Sequence, residues 1–131
     1  MKNTYRILLV LACMGGALSV LSAAYVAHLP GLGEATLRSL HSAMQMLQFH
    51  ALALLVVAWI GQGERFRWPL FLSALFFLAG ILMFSVNILL SQLFGMGLFK
   101  PLTPFGGMAF VLGWLALGLS VMKKKSPEGD L

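Results

Sequence analysis

The stretch MQMLQFHALALLVVAWI, Met44 to Ile60, sets one imidazole and two carboxamides into an otherwise apolar run. His50 has the widest chemistry there, since an imidazole serves as base, proton carrier or metal ligand. Gln45 and Gln48 lie nearby in sequence, but two residues advance a helix by roughly 200°, so they point to other faces. Four more polar residues stand within or at the edge of other apolar runs: His28, Ser85, Asn87 and Thr103.

The acids decide which reactions these groups can support. Glu34, Glu64, Glu128 and Asp130 all fall in connections or in the tail. Proton exchange through an intramembrane carboxylate therefore lacks its titrating group, and an aspartyl hydrolase lacks its pair. A serine hydrolase around Ser85 or Ser42 lacks the acid that orients the base. Cys13 is the single cysteine, so thiol–disulfide chemistry has no second sulfur. Conventional catalysis is not expected. Met44, Met46, Met83, Met96 and Met108 accompany His28, His41 and His50, and thioethers with imidazoles suit Cu(I). His28 and His50 are also the pair a bis-histidine haem would use. Yet no compact Met-x-x-Met or His-x-His array occurs, and methionine is an ordinary filler of apolar cores. No cofactor is expected; a small transporter, a copper protein or a haem protein is the alternative reading.

The elements that position these residues follow from composition. The 131 residues are 60% hydrophobic and only 10% charged, against about 25% charged in soluble domains. So few charges cannot cover a globule with polar surface, and the solvent must be lipid. About 20 apolar residues span a bilayer as a helix. Four runs qualify: 7–27, 43–60, 69–90 and 103–122. The connections HLPGLGEATLRSLHS, GQGERFRW and SQLFGMGLFKP hold the charges, Gly and Pro that the runs avoid. Within the first, EATLRSLHSAM reads either as an interfacial helical turn or as an early start of the second span. Short connections make successive helices antiparallel neighbours. The expected fold is an all-α, up-and-down bundle of four transmembrane helices in a single domain, 1–131, with 123–131 a flexible tail.

Basic residues set the expected direction. Lys2, Arg6, Arg65, Arg67, Lys123, Lys124 and Lys125 collect on one side, and only Arg38 and Lys100 on the other. Both termini are expected in the cytoplasm, with Trp59, Phe66 and Trp68 in an inner aromatic belt. The net charge of +5 thus belongs to topology and not to nucleic-acid binding. A cleaved leader is the rival reading of the N-terminus. The apolar stretch before the lipobox-like Cys13 is short for a signal core, however, and cleavage would set the basic tail against the loop arginines.

With this topology, Gln45, Gln48, His50, Ser85, Asn87, His28 and Thr103 share the outer half of the bundle. Such groups are costly in lipid and default to functional candidates, or they hydrogen-bond neighbouring helices. Residues three and four from His50 (Met46, Leu47, Ala53 and Leu54) are apolar, so its partners are expected on another helix, at Asn87 or Ser85. Small residues mark the helix contacts: Ala12, Gly16, Ser19 and Ala23 in the first span, and Gly106, Ala109, Gly113, Ala116 and Ser120 in the fourth. In the third, Ser73, Phe77, Gly80, Phe84, Asn87 and Ser91 keep the same rhythm.

AAYVAH (Ala23 to His28), SAMQMLQFHALALL (Ser42 to Leu55), MFSVNILL (Met83 to Leu90) and LTPFGGMAFVLGWLAL (Leu102 to Leu117) occur in that order. Together they resemble the small membrane family of domain of unknown function 423, or YgdD-like. The resemblance covers most of the chain between Leu8 and Leu119 and implies a four-helix inner-membrane protein. It matches at His28, Gln45, His50, Ser85, Thr103, Pro104, Gly106 and Gly107. The chain departs from the family at Tyr25 and Val26, where glycines are expected, at Met46 for a tyrosine, and at Val86 and Asn87 for small residues.

TPFGG reads as a helix start: Thr103 caps, Pro104 lacks the N–H that would go unpaired, and Gly106 and Gly107 admit a close neighbour. The exposed N–H groups of such a terminus suit an anionic group. The function expected is an accessory or structural membrane protein, holding a partner helix, a second copy, a lipid or a small ligand through the outer-half cluster.

Overall fold

The computed structural model describes residues 2–63, 67–96 and 101–122. Among them, four helical segments are long and apolar enough to cross a membrane. They are α1 (Lys2–Ala27), α2 (Glu34–Ile60), a third segment in three parts, and α5 (Thr103–Met122). The third segment is α3 (Trp68–Gly80), a π-helical stretch (Ile81–Val86) and α4 (Asn87–Phe94). The tail 123–131, together with Lys100, Arg65 and Phe66, lies outside the described residues.

The boundaries follow local chemistry. Gly31, at φ 77°, makes the turn after α1 that a side chain would strain. Pro69 sits in the first turn of α3, where its missing N–H costs nothing. Gly95, in the left-handed region, ends α4. Two helices outrun the apolar runs that announced them. α2 begins at Glu34 rather than near residue 43, so the first connection contains its opening turns and not a separate interfacial helix. The third segment continues to Phe94, past residue 90. Hydropathy marks where lipid begins; a helix continues as long as its backbone has partners.

Packing divides the bundle into two antiparallel pairs, α1 with α2 and α3 with α5, joined mainly by α2 against the third segment. On α1, Tyr5, Leu8, Ala12, Ser19 and Val26 are buried against α2, while Ile7, Val10, Met14, Val20 and Leu21 face outward to lipid. Ala12 and Ser19 of the expected α1 seam are thus in contact. At its centre, though, the close approach is made by Gly15, whose added Cβ would lie 3.3 Å from Ala51 Cβ; one on Gly16 would meet nothing. Of the two family departures in AAYVAH, Val26 fills the core and Tyr25 faces outward.

The α3–α5 contact alternates large against small at a constant antiparallel register. A Cβ on Gly113 would come 2.6 Å from the Phe77 ring, and one on Gly80 would enter the Phe110 ring. A Cβ on Gly106 would stand 2.6 Å from the Phe84 backbone nitrogen. All five residues of the α5 seam (Gly106, Ala109, Gly113, Ala116 and Ser120) are buried. In lipid no hydrophobic force drives helices together, so this interlocking supplies the attraction.

Candidate functional site

The outer-half candidates separate into two centres. The first is His50, 3% exposed on α2. Its Nδ1 lies 2.8 Å from Met46 O one turn back, and its Nε2 accepts the Trp114 Nε1–H at 3.1 Å. Nδ1 must therefore carry the proton. Phe110 stacks on the imidazole with centroids 3.6 Å apart and planes 12° from parallel, and Phe77 and Phe49 close the sides at 5.4 Å. The expected partners Asn87 and Ser85 are replaced by a backbone carbonyl of its own helix and by Trp114. The side chains on its own face are apolar, but the backbone carbonyl four residues back lies within reach of an Nδ1–H. α2 and α5 have few backbone approaches, so His50 and its rings span the gap between them. With both nitrogens engaged, His50 joins two helices and offers no lone pair to a ligand.

The second centre lies at the bundle end that carries the first and third connections. There the π-helical stretch widens the third segment: the Asn87 N–H reaches back five residues to Leu82 O. Asn87, buried at 4% exposure, uses its amide to bind the Met83 carbonyl of this wide turn at 3.3 Å and Thr103 Oγ1 at 3.0 Å. The Thr103 oxygen, expected to cap α5, accepts this bond instead. Above the pair opens a cleft of about 380 Å³ lined by Ser39, Asn87, Ile88, Ser91, Gln92 and Thr103. Ligand pockets commonly range over about 300–1,000 Å³, so the cleft suits a small group.

The remaining candidates go elsewhere. Gln45, Gln48 and His28 are exposed, and none is a partner of His50. Ser85 is fully buried in the π-helical stretch, and its hydroxyl has no hydrogen-bond partner among the described residues. Pro104 is exposed at the start of α5, Gly106 is closed by Phe84, and a Cβ on Gly107 would meet nothing. Among the described residues no three His, Cys, Asp or Glu side chains come together as a metal site. Sequence reasoning assigned no role to Trp114, Ser39 or Gln92. Trp114 stood in the GW pair of the last motif. Ser39 and Gln92 sat in stretches read as connections, one helical turn or less beyond the apolar runs.

A bundle of four apolar, lipid-facing helices with polar groups held inside is an integral, multi-pass membrane protein. The chain belongs to the family described as protein of unknown function (DUF423), whose model matches residues 22–107. It is similar to the UPF0382 membrane protein YwdK of Bacillus subtilis, 28% identical over 90% of this chain and 98% of that one. A UPF0382 membrane protein of Haemophilus influenzae is 31% identical over 96% and 99% of the two chains. The UPF0382 inner membrane protein YgdD of Escherichia coli is 27% identical over 93% and 94%. No solved structure matches the chain.

Proposed function

We propose that the protein is a small accessory protein of the bacterial inner membrane that holds a small ligand or a lipid headgroup in the cleft above Asn87 and Thr103. The observation that carries this reading is the cleft itself, a concave site at which five side chains bearing a hydroxyl or a carboxamide gather in a largely apolar chain. The bias of Lys and Arg puts both termini in the cytoplasm and so turns the cleft outward, toward the outer headgroup layer. The protein acts by binding and not by catalysis: Glu34, exposed at the start of α2, is the one carboxylate in the described helices.

Two measurements test the reading. Reporter fusions after Lys125 and in the third connection should place the first in the cytoplasm and the second outside; the reverse overturns the outward cleft. Native mass spectrometry of the gently solubilised protein should show a bound small molecule or lipid that Ser91→Trp, which fills the cleft, removes. Identical adducts in both proteins would overturn the binding role.

A further inference from the structure

We infer that the cleft selects an uncharged polyhydroxyl group, a sugar or glycerol moiety, over an anionic or cationic one. This inference rests on the cleft being the binding site and adds the chemistry of its occupant. Ser39, Asn87, Ser91, Gln92 and Thr103 supply the polar side chains of the lining among the described residues, and none of them carries charge. Their bonding states are mixed. Thr103 Oγ1 receives the Asn87 N–H, so its own O–H is left to donate. Ser39 donates its proton to Ala35 O at 3.1 Å, so toward the cleft it offers an acceptor oxygen. Gln92 brings a carboxamide that both donates and accepts, and Ser91 a hydroxyl that does the same.

A set that mixes donors and acceptors matches groups that are themselves both, and hydroxyls are such groups. A phosphate or carboxylate needs converging donors or a cation, and an ammonium needs converging acceptors or a carboxylate. Against an anion the Ser39 oxygen, and against a cation the Thr103 O–H, would face the ligand with the wrong polarity. Ile88, the apolar member of the lining, gives the C–H face of a sugar ring a surface to lie on. The space, about a dozen water volumes at roughly 30 Å³ each, limits the occupant to a small head.

The same chemistry reaches this end of the bundle from two sources, the headgroup of a neutral glycolipid or a free polyol. The test uses the full chain solubilised in an ether detergent without sugar groups. Monoglucosyldiacylglycerol, phosphatidylethanolamine and cardiolipin are each titrated by native mass spectrometry, and methyl glucoside is titrated by thermal shift. Glucolipid should bind on the order of tenfold more tightly than either phospholipid. Ser91→Ala combined with Gln92→Leu should weaken it by about tenfold, as loss of two modest hydrogen bonds implies. Neither residue takes part in the Asn87–Thr103 bond, so the melting temperature should hold, and Gln48→Leu, outside the cleft, should bind as the parent does. Binding of methyl glucoside alone assigns a free polyol, and binding of glucolipid alone assigns the headgroup; either supports the inference. A preference for cardiolipin or phosphatidylethanolamine that Ser91→Trp abolishes overturns the neutral class while keeping the cleft as a site. Binding of every compound unchanged in Ser91→Trp overturns both.

Discussion

His50 and Asn87 are both buried polar residues of an apolar bundle, yet they end in opposite situations. His50 is enclosed by four aromatic rings, and each of its nitrogens has a protein partner. Asn87 is tied to Met83 and Thr103, but the hydroxyl it engages borders open space shared with Ser91 and Gln92. A polar group in a membrane protein is therefore classified by where its unused valences point, not by its presence. The first centre holds helices together; the second is placed to meet something else.

The largest expected effect tests the closed centre. Gly113 receives the Phe77 ring that walls in His50, so Gly113→Leu should drive α3 from α5 and cost about 1–3 kcal/mol or more. A melting curve in detergent should shift down clearly; an unchanged curve would mean that the interlocked register is absent in the membrane. Next in size is the link between α2 and α5. Trp114→Phe leaves His50 Nε2 without its donor, and interhelical bonds in membranes average about 0.6 kcal/mol with a maximum near 1.7. A double-mutant cycle with His50→Phe should return a coupling in that range, and a coupling of zero would remove the bond. Ligand retention should be unaffected in both single variants, since this centre is closed.

Thr103→Val probes the open centre and should behave in the reverse way. It removes the acceptor of the Asn87 amide at a stability cost of about 0.6 kcal/mol, while removing a donor from the cleft. A large loss of binding with a small loss of stability separates this site from His50; equal losses would make it one more structural bond. The smallest effect is expected at Gly107, where a Cβ would meet nothing. Gly107→Ala should stay within about 0.5 kcal/mol of the parent, whereas Gly106→Ala, with its Cβ against the Phe84 backbone, should not. Similar melting temperatures for the two would overturn the distinction drawn between adjacent glycines.

Much of this was legible without coordinates because lipid imposes a simple rule. A backbone crossing it must satisfy its own hydrogen bonds, so apolar runs become helices, and the fourth run coincides with α5. The α5 seam of small residues was equally legible, since a three-and-four spacing fixes one face whatever it packs on. Less legible were the opening of α2 and the end of α4, which lie beyond the apolar runs. Ser39 and Gln92 were lost with them, and so was the cleft they help to line.

The sequence by itself determined the solvent, the number of spans, the faces that carry contact, and the presence of polar groups within them. Each of these depends on residue type and on a helical period that is local. The tertiary structure alone decided that His50 meets Trp114, 64 residues away, and that Asn87 meets Thr103. It also decided that Gln45, Gln48 and His28 remain outside either centre. Those outcomes depend on the rotation and axial offset of one helix against another, and on the π-helical turn that widens the third segment just before Asn87. They are set by the fit of rings into glycine gaps across interfaces, a property of pairs of surfaces that no single helix's sequence contains.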